Sequence, residues 1–295
     1  MDSVFDIHEP TLIVITGPTA SGKSALAVDV AERLGTEIIS ADSRQVYKGI
    51  PIVTAMPTDE ERARVRHHLI DMLPLDAYYS AAEFERDALR LTRKLLAEKG
   101  AAVACGGSML YVDALCHGID ELPTVPAGIR GALKEEHERR GDQWLLDRLR
   151  QLDPEYYDVV DRRNIKRVFH AVEIVMAAGV TYTSLRTGRR RQREFNIRKI
   201  LLDPPRDLLF DRINRRVDAM VRAGLEEEAR SVYHLRHLNS LNTVGLKEMF
   251  AMFDGVMDRY TAIERVKKNT RVYAKKQITW RKRETDWIRL DTSGQ

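Results

Sequence analysis

Short apolar runs alternate with longer stretches of helical period through the first third of the chain. Residues 12–15, 37–40 and 101–105 read as buried strands, and residues 23–34 and 81–99 carry apolar positions at the three- and four-residue spacing of amphipathic helices. Strands alternating with helices predict a parallel sheet covered by helices. Ligands of such a sheet bind beyond the carboxyl ends of its strands, so the turn after the first run, the residues after Ser40 and the Gly106-Gly107 turn are expected to converge. After Pro123 and Pro126 the strand signal ends, and charged helical segments follow at residues 128–140, 143–152 and 164–178. Residues 195–203 read as a strand returning to the sheet. The expected organisation is a core domain of residues 1–123 and 195–295, interrupted by an all-helical insertion at residues 124–194. Beyond Pro205 the pattern is almost wholly helical, at residues 206–223, 225–236 and 261–282, without internal repeats.

The turn between the first strand and the first helix reads GPTASGKS: Gly17, Pro18, Thr19, Ala20, Ser21, Gly22, Lys23 and Ser24. The two glycines let the backbone wrap closely around oxygens, with successive amides aimed at an anion at the start of a helix. Lys23 adds a positive charge, and the Ser24 hydroxyl can ligate a magnesium ion that bridges phosphate oxygens. This is a complete phosphate-binding loop in its proper strand-and-helix context. Kinases, nucleotide hydrolases and some transferases share it, so it sets the ligand class and not the reaction.

Composition narrows the setting. A chain of 295 residues with 43% hydrophobic content can build one large domain carrying a smaller one. Its first ten residues hold Asp2, Asp6 and Glu9 and no cationic region, and no run approaches the length of a membrane span, so a cytoplasmic protein without membrane attachment, and a monomer by default, is expected. The two cysteines, Cys105 and Cys116, make no repeated metal-ligand pattern. A net charge of +4 is modest, but residues 265–283 hold nine basic side chains and no acid, which predicts an electropositive helix suited to a nucleic acid. Arg271, Lys275, Lys276 and Trp280 are its candidate RNA contacts. Trp280 could stack on a base or belong to the core. A second cluster, Arg186, Arg189, Arg190, Arg191 and Arg193, reads as a mobile basic loop or phosphate clamp.

Asp42 follows the second strand and heads Asp42-Ser43-Arg44-Gln45, setting a carboxylate, a cation and an amide near the phosphate loop. It can accept a proton from a substrate amine, or it can serve as a magnesium ligand or helix cap. Arg44 and Gln45 offer hydrogen bonds to a base edge or to phosphates. Thr19 can donate to a bridging diphosphate oxygen or simply shape the loop. No strand ends in the Asp-Glu pair of a nucleotide-hydrolysing motor; the third runs instead into Gly106-Gly107-Ser108. Arg212 and Arg216, one helical turn apart, could hold a diphosphate or pair with Asp211 and Asp218 on the surface. His67 and His68 lack further ligand spacing and read as structural.

Several of these stretches are familiar as a series: GPTASGKS from Gly17, SADSRQVYKG at 40–49, HHLID at 67–71, YSAAEF at 79–84 and GGSMLY at 106–111, then RINRRVDAMVRAGLEEE at 212–228, VGLKE at 244–248 and KKNTRVYAKKQITWRKR at 267–283. Together they resemble the tRNA dimethylallyltransferase family, also called tRNA isopentenyl transferases, over nearly the whole chain. The resemblance implies a P-loop NTPase-like parallel sheet flanked by helices, with the helical insertion contacting the anticodon stem-loop. It implies transfer of a dimethylallyl group from dimethylallyl diphosphate to the exocyclic amine of the adenine immediately 3′ of the anticodon, with pyrophosphate leaving and Mg2+ assisting. Asp42 would accept the amine proton and Thr19 would hydrogen-bond the bridging oxygen. Asp42, Ser43, Arg44 and Gln45 would contact the nucleotide, and Ser108, Arg130, Lys166, Arg167 and His170 fall where family members touch tRNA. Val53 and Met56 stand where glycine and lysine are common, Ser108-Met109 replaces threonine-glycine, His170 replaces a frequent arginine, and Leu246 a tyrosine. The rivals are an adenylate prenyltransferase acting on free nucleotides, a small-molecule kinase of the phosphate-loop type and a non-catalytic RNA-binding protein.

Overall fold

In the computed structural model, which describes residues 5–290, six parallel strands stand in the order β3-β2-β4-β1-β5-β6. They are β1 (Thr11–Thr16), β2 (Ile38–Ser40), β3 (His67–His68), β4 (Ala101–Gly106), β5 (Asn196–Leu202) and β6 (Ile288–Leu290). All six residues of β1 are buried, as a central strand covered on both faces requires. Its register runs from Thr11 opposite Ala101 to Thr16 opposite Gly106, so β1 and β4 end level with one another. The helices beside the sheet begin with α1 (Lys23–Arg33), α2 (Asp59–Arg64), α3 (Ala81–Lys99) and α4 (Met109–His117). Sequence signals explain their ends. Ser80 and Glu83 form a reciprocal cap at the start of α3, and Gly100 closes it in the left-handed conformation at φ 69°. The three expected strands and the returning strand are present. The two short edge strands β3 and β6 carried no apolar run to announce them.

The chain up to His117, together with the chain from Gln192 onward, makes one compact unit, and Gly118–Arg191 make a second. The sequence reading drew the insertion at 124–194. Its far end falls earlier because Arg193 belongs to the first unit: its guanidinium, almost wholly buried, pairs with Glu85 at 2.7 Å and donates to the carbonyls of Ala114 and Leu115. The basic cluster expected at 186–193 is therefore no single loop. Within the second unit Arg191 pairs with Glu121 at 3.3 Å, and Arg186 covers the rings of Tyr156 and Tyr182.

The second unit holds α5 (Ala127–Leu152), α6 (Pro154–Val159), α7 (Ile165–Ala178) and α8 (Tyr182–Leu185), and no strand among its described residues. The two helices expected at 128–140 and 143–152 form one element broken only by Gly141, whose φ of 80° and ψ of −179° interrupt the helical path. A buried Asp153 ties α6 to α8 by accepting from the amides of Tyr156 and Thr183 and from the Thr183 hydroxyl. Leu145, Leu149, Val168 and Val172 lie at the centre of its core.

In the first unit, β5 leads to α9 (Arg206–Arg222), α10 (Leu225–Val232), α11 (Leu246–Phe253) and α12 (Arg259–Arg281). These helices share a core with the segment after β2, in which Val46, Tyr47 and Ile50 pack with Val217, Leu225, Leu246, Met249 and Val266. That core presses the C-terminal helices against the ends of the strands. No described helix is long and apolar enough to cross a membrane.

The tightest backbone approach is at the end of β4. A Cβ on Gly106 would lie 2.1 Å from the carbonyl oxygen of Ala41, a rigid backbone atom. Gly106→Ala should therefore lower stability by about 1–3 kcal/mol, measured by denaturant unfolding, whereas Gly128→Ala, where a Cβ meets nothing within 4 Å, should change it by well under 1 kcal/mol.

Candidate active site

The phosphate loop leaves β1 at Gly17, where a Cβ would stand 2.5 Å from the Ser21 hydroxyl and 2.9 Å from the Leu202 carbonyl, so only glycine fits. Ala20 and Gly22 adopt positive φ, 63° and 91°, which wraps the loop around a concave centre. No side chain caps α1, so its first-turn amides stay available to an anion. The Lys23 ammonium folds back toward the Pro18 carbonyl at 3.4 Å. Burial lowers its pKa to about 8, with neighbouring Arg216 adding to the effect and Asp42 opposing it. The Ser21 hydroxyl is buried without a hydrogen-bond partner.

Two cavities open at the carboxyl ends of the strands. The smaller, about 70 Å³, is lined by Thr19, Lys23, Ser24, Asp42, Gly106 and Gln277 among others. The larger, about 560 Å³, adds Ser43, Arg44, Ser108 and Lys276 as polar walls and Ile213, Val217, Met220 and Val244 as apolar ones. Thr19, Asp42, Thr54, Arg216 and Tyr273 line both. Asp42 is the only carboxylate lining either one among the described residues. Its Oδ1 accepts the Arg44 amide at 2.9 Å, which fixes the side chain at the head of its turn.

Around Asp42 the expected residues divide by what they touch. The Ser108 hydroxyl accepts the Ser43 amide at 2.8 Å, joining the Gly106-Gly107 turn to the Asp42 segment. Arg44 reaches the Asn242 carbonyl at 3.5 Å and faces the larger cavity. Gln45 is spent inside the protein: its oxygen accepts from Ser40 at 2.9 Å and its amino group donates to the carbonyls of Thr54 and Ala55. Arg216 donates to the Thr19 hydroxyl at 3.5 Å, and burial holds its guanidinium below the ordinary arginine value. Arg212 lines neither cavity. The two carboxylates of the surface alternative, Asp211 and Asp218, pair with Arg215 and with Lys267, at 2.5 and 2.8 Å. Three further residues, each inside a stretch that carries the resemblance but not singled out within it, belong to the site: Gln277 and Tyr273 on α12, and Glu228, whose buried carboxylate accepts the Ile52 and Val53 amides at 2.7 and 2.8 Å and shapes the cavity wall.

The IPP transferase family model matches residues 45–284, which covers most of the chain. The tRNA dimethylallyltransferase 1 of Bacteroides thetaiotaomicron is 50% identical over 277 residues, 94% of this chain and 90% of that protein. The tRNA dimethylallyltransferase 2 of Parabacteroides distasonis is 50% identical over 283 residues, 95% of each. The chain belongs to the IPP transferase family. The fold agrees: the full-length tRNA isopentenylpyrophosphate transferase of Bacillus halodurans superposes with a TM-score of 0.70 at 35% identity, over 97% of this chain and 91% of that one. A eukaryotic dimethylallyltransferase acting on tRNA shares the fold with a TM-score of 0.80 at 23% identity, over 97% of this chain and 75% of that one.

Positions at which this IPP transferase departs from the common pattern have local causes. Val53 packs against Gly245, where a Cβ would lie 2.4 Å from its Cγ2 atom, and lines the larger cavity. Leu246 is fully buried beneath that cavity, where a hydroxyl would need a partner. In the second unit His170 and Arg130 meet on one buried carboxylate: Arg130 Nε lies 2.8 Å from Glu173 Oε2 and His170 Nδ1 lies 2.9 Å from Glu173 Oε1. Burial pushes Glu173 upward, but its bonds to His170 and Arg130 prevail and hold it below the usual carboxylate range. Lys166 and Arg167 are exposed on the same helix.

The basic helix of the IPP transferase is less uniformly basic than its composition. Lys267 pairs with Asp218 and Glu264, Arg271 donates to Asn214 at 2.6 Å, and Arg281 is buried. The Trp280 indole donates to Asp113 at 2.7 Å and lies under the Arg283 guanidinium, so the ring expected to stack on a base is engaged within the protein. Lys275 and Lys276 are exposed, and Lys276 lines the larger cavity.

Lys23 gives the site a pH dependence. Its charged form dominates below about pH 8 and is lost above it, so affinity for inorganic pyrophosphate should fall as pH rises through that value, by up to about tenfold per unit. Calorimetric titration from pH 7 to 9.5 against Lys23→Arg, which stays charged, isolates the effect: the wild-type-to-variant affinity ratio should decline, and a constant ratio refutes it.

Proposed function

We propose that the chain transfers a dimethylallyl group from dimethylallyl diphosphate to the exocyclic amine of the adenine 3′-adjacent to the anticodon in tRNA, releasing pyrophosphate. The observation that carries this reading is the position of Asp42 on the wall common to both cavities, beside Thr19 and Arg216. A leaving group in the cradle and a nucleophile in the larger cavity would then share one carboxylate. The names of the relatives identify the acceptor of those proteins as tRNA, and membership of the IPP transferase family supports the same acceptor class here.

In the reaction the allylic C–O bond breaks as the amine nitrogen bonds to the departing carbon. Negative charge gathers on pyrophosphate, where the loop amides, Lys23 and Arg216 oppose it. The Thr19 hydroxyl is placed to donate to the bridging oxygen. The amine proton passes to the Asp42 carboxylate, a base whose single firm bond to the Arg44 amide leaves lone pairs available. The adenine leaves its stack to reach this carboxylate, and the size and mixed lining of the larger cavity suit an extruded base.

The residues fit magnesium of the phosphate-bound kind. Ser24 faces the smaller cavity with Asp42, and among the described residues no three His, Cys, Asp or Glu side chains cluster as a metal cage. Ser24 would hold the ion, with phosphate oxygens and water completing its shell. Bound there, it would supply Lewis-acid stabilisation of the leaving group. The exposed Lys275 and Lys276 favour tRNA over a free nucleotide as acceptor, and a cytoplasmic monomer is part of the same proposal.

Incubation with Mg2+, dimethylallyl diphosphate and either unmodified tRNA or AMP, followed by mass spectrometry, tests the reading. Prenylated tRNA with unchanged AMP is expected; prenylated AMP alone points to the adenylate enzyme, and phosphoryl transfer from ATP to a kinase. Asp42→Ala should lower kcat by about 10²–10⁴-fold with tRNA affinity nearly unchanged; normal turnover at saturation would remove Asp42 from proton transfer. Replacing Lys275 and Lys276 together by alanine should weaken tRNA binding and reduce its salt slope by about 1–2, and an unaltered slope would remove them from the interface.

A further inference from the structure

The Gln277 side chain of α12 points inward. Gln277 is only 1% exposed, although Lys275 and Lys276 before it and Thr279 after it are all exposed. An amide at that depth must satisfy both an oxygen and an amino group. Both ends of Gln277 are spent on the two loops of the site. Its Oε1 accepts the Thr19 backbone amide at 2.9 Å, and its Nε2 donates to the Gly107 carbonyl at 2.8 Å. The fit is close enough that a Cβ on Gly107 would lie 2.5 Å from Nε2.

The linkage continues from Gly107. The next residue, Ser108, takes the Ser43 amide at 2.8 Å, and Asp42, the residue before Ser43, takes the Arg44 amide at 2.9 Å. A short series of hydrogen bonds and peptide steps thus runs from the phosphate loop to the carboxylate, with Gln277 as its one contribution from outside the strand-end loops. With its amide committed to Gln277, Thr19 is left with its hydroxyl for the cavities it lines.

We propose that Gln277 is a positioning residue for group transfer, setting the separation and aim of the leaving-group cradle relative to Asp42. The assignment rests on the prenyl-transfer reading above. A displacement of about 1 Å between reacting groups can cost about a hundredfold in rate, so the effect belongs in kcat, whereas an amide that merely filled space would register in thermal stability alone.

Steady-state kinetics of wild type, Gln277→Ala and Gln277→Glu with dimethylallyl diphosphate and unmodified tRNA, alongside thermal melts, tests this. Gln277→Ala should lose about a hundredfold in kcat with KM for tRNA within about threefold. The glutamate variant separates positioning from packing: it keeps the volume of the amide and can accept from Thr19, but its carboxylate repels the Gly107 carbonyl. Its kcat relative to wild type should fall by about tenfold or more, whereas a side chain that merely filled space would leave it near wild type. Should the alanine variant not fold, this ratio decides. A kcat for Gln277→Ala within twofold of wild type, a loss confined to KM, or a kcat for Gln277→Glu within twofold of wild type overturns the assignment while leaving the transferase reading intact. A wild-type protein that prenylates no tRNA overturns the reading itself and the assignment with it.

Discussion

Ala41 donates its amide to the Cys105 carbonyl at 2.8 Å, and its own carbonyl accepts from Ser108 at 3.2 Å while occupying the space a side chain on Gly106 would need. These contacts close the gap between the ends of β2 and β4, and much of the site follows from them. With the two strand ends drawn together, Asp42 emerges beside the loop after β1 instead of splaying toward the sheet edge. The parallel register of β1 with β4, level from Thr11 to Thr16, brings the phosphate loop to the same height. The position of the carboxylate is thus a property of sheet geometry and of a glycine, not of a flexible loop.

The electrostatics carry the same sense. Lys23 and Arg216 both lie where burial disfavours their charge, and Asp42 is the only carboxylate lining the cavities among the described residues. Holding two cations there is unfavourable in the free protein, and an anion with several oxygens relieves it. The uncapped start of α1 adds backbone donors that the fold itself leaves unused. A diphosphate suits such a set of donors better than a single carboxylate would, because it offers oxygens to the loop amides and to both cations at once.

Much of this was legible in the chain, and the illegible part has a common physical character. The phosphate loop could be read because glycine positions, a lysine and a helix start are local in sequence. Asp42 could be read because it ends a strand. Gln277 could not, since its partners Thr19 and Gly107 lie 258 and 170 residues away and nothing in its own neighbourhood distinguishes it from a surface polar residue. Glu228 was hidden in a run of three glutamates, of which only it is buried against the Ile52 and Val53 amides. The strands β3 and β6 span two and three residues, too short for any period to show. Gln45 was read in the opposite direction: its place beside Asp42 suggested substrate, yet its oxygen accepts from Ser40 and its amino group holds the carbonyls of residues 54 and 55.

Charge is where composition misled most, and the reason is general. A count of cations along a helix gives the field at its surface only if each is exposed and unpaired, and three on α12 are not: Lys267 is paired with two carboxylates, Arg271 donates to Asn214, and Arg281 is buried. In the second unit the Glu173 carboxylate, set between Arg130 and His170, offsets the Arg130 charge. What remains for a polyanion is the exposed subset, which at residues 265–283 is Arg265, Lys268, Lys275, Lys276, Lys282 and Arg283 and in the second unit includes Lys166 and Arg167. Because screening reduces exposed charges first, RNA affinity resting on such a subset depends on salt, whereas the buried cations of the cradle, shielded from solvent ions, keep their hold on a diphosphate. Under the proposed reaction, recognition of tRNA and of the diphosphate would respond differently to ionic strength, a separation that comes from burial and not from residue type.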